Sequence, residues 1–278
     1  MTYRELTPPP ALAEHVAAVW MRGGNPPGTP PLRVVPDGSA DIIRRDDGRS
    51  ATTVVAGPDT EAQLAGLDER SRMVGVRFAP GASSAVLGVP LDVVRDLRVP
   101  LRELWGPVAE ELAEQIAVSE RPELALLTAV RQRITAPPDP TASAIARRLE
   151  FAAGPGVVSG LAADLGVSER QLQRRCRTAF GYGPKTLHRV LRFQRALRLA
   201  RAGGRLADVA AVVGYADQAH LTRDSRQLAG VPITELISEN GTTEPSTLGA
   251  VEDGGEATGL VQVGGAREQE HVVAARVS

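Results

Sequence analysis

The chain repeats itself once, about fifty residues apart, and the repeat constrains the fold more than any other feature. Leu161-Ala162-Ala163-Asp164-Leu165-Gly166-Val167-Ser168-Glu169-Arg170-Gln171-Leu172 is answered by Val209-Ala210-Ala211-Val212-Val213-Gly214-Tyr215-Ala216-Asp217-Gln218-Ala219-His220-Leu221. Beyond the glycine, Leu172, Arg174, Arg177 and Gly181 match Leu221, Arg223, Arg226 and Gly230 at an offset of 49. Before it, Ala162 and Leu165 match Ala210 and Val213 at an offset of 48. One extra residue in the second turn accounts for the difference.

Each copy reads as helix, turn, helix. Val158, Leu161, Ala162 and Leu165 fall at i, i+3, i+4 and i+7, one apolar helix face. Gly166 ends that helix where the turn needs a residue without a side chain. Ser168 with Gln171 forms a capping box for the next helix, and Glu169 suits its positive end. Leu172, Cys176 and Ala179 then point inward, leaving Arg170, Gln173, Arg174 and Arg177 on the outer face. In the second copy Leu206, Val209, Ala210 and Val213 support, and Leu221, Ser225 and Leu228 point inward. Ala219, Thr222, Arg223 and Arg226 face out, with Gln218 and His220 at the helix start. A short capped helix with an arginine-rich face suits the major groove of DNA, where Arg pairs bidentately with guanine and Gln with adenine. The second face has fewer long polar side chains, so more backbone and shape contact and less base discrimination is expected of it.

Between the copies, 184–203 reads as one helix with Leu187, Leu191, Phe193 and Leu197 inward. At ~1.5 Å per residue it is roughly 25–30 Å long. That could hold two reading helices one duplex turn, ~34 Å, apart. Arg189, Arg192, Arg195, Arg198 and Arg201 recur along it every third residue. A period of three drifts around a 3.6-residue helix, so at least half of them are expected in solvent or against carboxylates.

The net charge of −1 over 278 residues hides an asymmetry. Residues 1–140 hold 15 basic and 19 acidic side chains, 141–236 hold 15 and 7, and 237–278 hold 2 and 7. A basic segment between acidic neighbours is the footprint of a nucleic-acid module. With 3% aromatic residues, the core must rest on Ala, Val and Leu. The single cysteine, Cys176, excludes a disulfide framework and a cysteine zinc site and fits a reducing cytoplasm. Its place on an apolar face makes it a core residue rather than a reactive thiol. No apolar run reaches membrane length, and the first twelve residues lack a signal-peptide core. His15, His188, His220 and His271 are scattered, so no metal is expected, and no motif calls for a cofactor or marks a catalytic site.

Upstream, residues 10–80 read as short strands. Pro36-Asp37-Gly38-Ser39 is a turn between Leu32–Val35 and Ala40–Ile43, and Asp37 and Asp41 read as turn residues. Val74, Val76 and Phe78 alternate with Gly75 and Arg77 as a half-buried strand. Helices follow, with Pro107 and Pro122 at first helical positions. The linker Ala136-Pro137-Pro138-Asp139-Pro140 divides the chain. The fold class expected is α+β: a β-rich sensory or dimerisation domain over 1–136, strands then helices, and an all-α domain of two helix-turn-helix units over 141–237. Glycine-rich, acidic residues 240–278 read as a disordered tail.

Residues 141–237 resemble the AraC-type family of bacterial transcription regulators. The resemblance rests on Leu161-Ala162, Gly166-Val167-Ser168, Leu172 and Arg174, on Gly181-Tyr182-Gly183-Pro184, on Arg192-Phe193-Gln194-Arg195-Ala196, and on Gly214-Tyr215-Ala216-Asp217-Gln218-Ala219-His220-Leu221-Thr222-Arg223. It implies two helix-turn-helix units on a seven-helix domain bound to double-stranded promoter DNA, on the cytoplasmic nucleoid. By motif match, base-reading positions fall on Arg170, Gln173, Arg174, Gln218, His220, Thr222 and Arg223; Arg177 and Arg226 extend both faces. The chain departs from the family where Cys176 and Ser225 replace a common Phe, and where Pro232 follows Gly230 by two residues rather than three. Further partners would be a small-molecule effector, a second copy of the chain, and RNA polymerase if the protein activates. Two other readings stay open: an enzyme addressed to DNA by its C-terminal domain, and a ligand-independent DNA-binding protein acting through a partner.

Overall fold

Eight short strands rich in Val, Ile and Thr open the chain: β1 (Tyr3–Leu6), β2 (Val16–Gly23), β3 (Leu32–Val34), β4 (Asp41–Asp46), β5 (Ala51–Ala56), β6 (Gln63–Ala65), β7 (Arg72–Phe78) and β8 (Arg98–Pro100). The structure, a computed structural model, describes residues 3–154 and 156–238, so the tail expected over 240–278 lies outside the described residues. Six strands form an antiparallel sheet in the order β1-β2-β7-β4-β5-β8, and β3 and β6 form a separate ribbon.

β7 is central, paired on both sides with β2 and β4, and every residue from Met73 to Phe78 is buried. The half-buried strand expected there is therefore buried on both faces. On one face Val74, Val76 and Phe78 join the main apolar cluster. On the other, Met73 packs with Tyr3, Trp20 and Ile43, covered by Leu67 and by Val34 of the ribbon. Gly75 is required by packing, since a Cβ there would lie 2.2 Å from the Trp20 indole.

The strands flanking the Pro36–Ser39 turn do not pair with each other. β3 pairs with β6 and β4 with β5 and β7, so the turn carries the chain from ribbon to sheet. Asp37 is a turn residue, accepting the Ser39 amide at 2.8 Å. Asp41 is not: it accepts from the Trp20 indole at 2.9 Å and from the buried Arg77 guanidinium at 3.2 and 3.3 Å. Arg77 also stands 3.8 Å from Asp37. Burial pushes the Asp37 carboxyl above its ordinary range, and Arg77 opposes the shift. Beside them Arg98 grips Asp59 bidentately at 2.9 and 2.6 Å.

Four helices back the sheet: α1 (Ser83–Leu87), α2 (Leu101–Trp105), α3 (Pro107–Val118) and α4 (Pro122–Arg133), the last two opening on their prolines. Leu112, Ile116, Leu126 and Val130 supply their share of the core. His15 bonds the carbonyl of Ala136 at 2.9 Å, tying the segment after α4 to the sheet.

Seven helices follow: α5 (Pro140–Phe151), α6 (Val157–Asp164), α7 (Glu169–Phe180), α8 (Pro184–Arg201), α9 (Leu206–Val212), α10 (Gln218–Ala229) and α11 (Ile233–Ser238). Asp139 caps α5 by accepting the Thr141 amide at 2.8 Å. The first unit packs α5, α6 and α7 around Leu161, Leu172 and Phe180. The second packs α8, α9 and α10 around Phe193, Val209 and Leu221. Val35, just after β3, lies inside this second cluster. Among the described residues no helix is long and apolar enough to cross a membrane, and no group of three His, Cys, Asp or Glu could hold a metal ion.

Candidate nucleic-acid interface

The two turns are built alike. Gly166 (φ +63°) and Gly214 (φ +83°) take the left-handed conformation that leads out of α6 and α9. Ser168 then opens α7 with a full capping box. Its hydroxyl accepts the Gln171 amide at 3.2 Å, and the Gln171 side chain accepts the Ser168 amide at 2.8 Å. Asp217 opens α10 by accepting the His220 amide at 2.6 Å. Both helices end on a left-handed glycine, Gly181 and Gly230, whose amides donate to the carbonyls of Arg177 and Arg226.

On α7, Arg170, Arg174 and Arg177 are exposed on the outer face. Gln173 is half-buried and lies over Gly183, where a Cβ would come within 2.5 Å of its amide nitrogen. Arg177 sits where α7 meets the sheet domain, lining a cleft of about 350 Å³ with Asp92, Val93 and Arg95. Arg175 is also exposed but falls outside the i, i+3, i+4, i+7 series, which is why the spacing passed over it.

On α10, Gln218, Arg223 and Arg226 are exposed. The other two expected positions are half-buried. His220 packs edge-on against the Tyr215 ring at 5.1 Å, and the Thr222 hydroxyl donates to the Gln218 carbonyl at 2.9 Å. Ser225, standing where the family commonly has Phe, is buried and donates to the Val231 carbonyl at 2.8 Å. The space is closed by a hydrogen bond rather than a ring. Cys176, its counterpart, is fully buried, and burial pushes its thiol up to about 12. A thiol protonated to that degree is a poor nucleophile at neutral pH.

Four of the arginines of α8 are half-buried and engaged by other side chains. Arg189 donates to Asp224 at 2.5 Å, and Arg192 stands 3.5 Å from the same carboxylate with its guanidinium 4.0 Å over the Tyr215 ring. The Tyr215 hydroxyl completes the set, donating to Asp224 at 2.7 Å. Arg195 lies over the Phe151 ring, and Arg198 pairs with Glu150. Burial lifts the Glu150 carboxyl above its ordinary value, with Arg198 opposing. By contrast, none of Arg170, Arg174, Arg175, Arg177, Arg223 and Arg226 has a carboxylate partner among the described residues. Those α8 arginines are engaged by carboxylates and aromatic rings, whereas those of the two capped helices have no carboxylate partner among the described residues.

Residues 161–238 match the model of a helix-turn-helix domain family, and residues 4–100 match that of a domain of unknown function, DUF6597. No curated protein matches the chain. Among solved structures, ToxT from Vibrio cholerae is similar at 12% identity, covering 86% of this chain and 98% of that one with a TM-score of 0.42. A fatty-acid-bound ToxT from the same organism is similar at 14% identity, covering 81% and 96%, with a TM-score of 0.40.

Proposed function

We propose, from the premise that the chain belongs to the AraC-type helix-turn-helix transcription regulators, that it reads promoter DNA with α7 and α10 in successive major grooves of one duplex. The observation that carries this reading is the sorting of arginines. Those of α8 are largely engaged inside the protein, while six on the two equivalent helices are free to meet phosphates and base edges. Arg170, Arg174, Arg177, Arg223 and Arg226, with Gln218, are the base- and phosphate-contacting set. Gln173, His220 and Thr222 act closer in, where small movements of their side chains bring them to the groove. Residues 141–237 form the DNA-binding domain, and residues 1–136 sense an effector, pair two copies, or both. The protein works in the cytoplasm, and contact with RNA polymerase follows if it activates.

The test is selection of duplexes from a random library by the full chain. The expected result is a bipartite motif whose halves are about one helical turn, ~10–10.5 bp, apart. Enrichment of a single short half-site, or of nothing, overturns the two-groove reading.

A further inference from the structure

The C-terminal ends of the two reading helices meet the sheet domain in matching ways. Arg95 donates to the carbonyl of Gly181 at 3.0 Å, and Arg33 donates to the carbonyl of Ala229 at 2.9 Å. Gly181 and Gly230 are equivalent positions, so the two guanidiniums occupy nearly equivalent places at the negative ends of α7 and α10. A helix ends there with unsatisfied carbonyls and a partial negative charge, and a cation is favoured on both counts.

One loop links the two attachments. Pro58 packs on Gly181, where a Cβ would lie 2.5 Å from its ring, and the Asp59 carbonyl accepts the Tyr182 hydroxyl. Three residues on, the Ala62 amide donates to the Leu228 carbonyl at 2.8 Å. The sheet domain thus reaches both helix ends with a stretch too short to let them drift apart, at most ~3.6 Å per residue. The same domain holds the helix between them, since Gln194 of α8 donates to the Pro36 carbonyl at 2.6 Å.

We propose that Arg33 and Arg95 are positioning residues for DNA reading. Through them the sheet domain sets the separation and tilt of α7 and α10, and so the spacing of half-sites the chain accepts. The helix-turn-helix domain then does not fix its own pitch: α8 joins the units, and the sheet domain locks their free ends. A change in the sheet domain that moved residue 33 relative to residue 95 would alter which operators fit.

The half-site consequence rests on the two-groove reading above; the locking of the helix ends does not. Spin labels on cysteines introduced at Glu169 and Gln218, equivalent first positions of α7 and α10, report the distance between the helices in DNA-free full-length protein. Cys176 is buried with a raised thiol pKa and stays unlabelled. The expected result is a narrow distance distribution in the parent and a clearly broader or shifted one in Arg33→Ala/Arg95→Ala. The unlabelled double variant should also show less than about threefold discrimination among duplexes selected by the parent and altered by one base pair between half-sites, where the parent discriminates ~10-fold or more. If the double variant loses its cooperative melt, Arg33→Ala and Arg95→Ala singly carry the test, each broadening or shifting the distribution by loosening one helix end. An unchanged narrow distribution in the folded variants overturns the proposal. Failure of the parent to select any duplex would overturn the two-groove reading instead, leaving the distance result to decide the locking.

Discussion

Position 175 of the first unit and position 224 of the second are equivalent, and they carry opposite charges to opposite ends. Arg175 is exposed and without a carboxylate partner, whereas Asp224 is buried and holds Arg189, Arg192 and Tyr215. The neighbours follow suit. The first unit presents Arg170, Arg174 and Arg177 outward, while the second turns His220 onto Tyr215 and Thr222 back onto its own helix. One scaffold thus appears twice with some of its polar side chains directed differently: Arg175 stands outward in the first, whereas Asp224, His220 and Thr222 are engaged within the protein in the second. A duplicated backbone geometry does not imply a duplicated role.

The comparison can be broken at several points. The largest effect is electrostatic. Affinity of the full chain for its selected duplex should fall ~10³–10⁵-fold between 50 and 200 mM salt if 6–10 phosphates are contacted. Replacing Arg170, Arg174 and Arg177 together by Ala should flatten the logarithmic salt slope by up to ~2.7, against ~1.8 for Arg223 and Arg226, at ~0.9 per lost contact. Equal slopes for the two variants would mean the units share the backbone evenly.

Next in size is Asp224→Ala. Removing one member of a buried ion pair costs ~3–5 kcal/mol, and Arg189, 35% exposed at its side chain, keeps enough water to place this case near the low end. Urea unfolding should show that loss, while Arg175→Ala at the equivalent exposed position stays within ~0.5 kcal/mol of the parent. Comparable losses at both positions would erase the contrast. Arg174→Ala should cost ~1–3 kcal/mol in binding and relax preference at one or two base pairs, whereas Arg223→Ala should weaken matched and mismatched duplexes more evenly. Binding of both variants to a set of single-base operator changes decides it, and the reverse pattern assigns discrimination to the second unit.

The caps are where the units should agree. Ser168→Ala and Asp217→Ala should each cost ~1 kcal/mol in unfolding free energy, and a much larger cost for Ser168 would show that the reciprocal Gln171 bond matters more than the cap itself. The smallest effect is a pH dependence where the two units join, at His188 of α8 beside the segment after α5. Burial lowers the His188 pKa below its usual 6.5, countered in part by its bond to the Ala152 carbonyl. The folded state therefore binds this proton less well than the unfolded chain. The contribution is present above pH ~6.5 and is lost as pH falls toward and through the lowered value. Thermal melts from pH 7.5 to 5 should decline less steeply in His188→Gln than in the parent.

Much of the helical half was legible because its signals are local. Capping residues, turn glycines and apolar spacing act within four residues of themselves, so Ser168, Gly166, Gly181 and the inward series Leu172, Cys176, Ala179 could be placed from the string alone. The β-rich half was less so. Alternation marked β7 as a strand, yet its burial on both faces depended on helix α4 packing over one side and Leu67 with the ribbon's Val34 over the other, and such partners are not encoded near a strand. Asp41 looked like a turn residue because its partners, Trp20 and Arg77, lie 21 and 36 positions away. Spacing says which face a side chain such as His220 or Gln173 starts from but not whether a neighbour, Tyr215 or Gly183, lies against it.

Short-range chemistry alone thus dictates the duplicated helix pairs, the α+β class and the concentration of positive charge in 141–236, since each arises from neighbours on the chain or from composition. Which arginines remain free is a property of the assembled protein. Asp224, Glu150 and Phe151 claim their arginines from as far as 48 positions away, and a charge is neutralised by what lies within a few ångströms in space. The same holds for the grip of Arg33 and Arg95 on the ends of α10 and α7: across 196 and 86 positions, folding alone brings a guanidinium to a helix end.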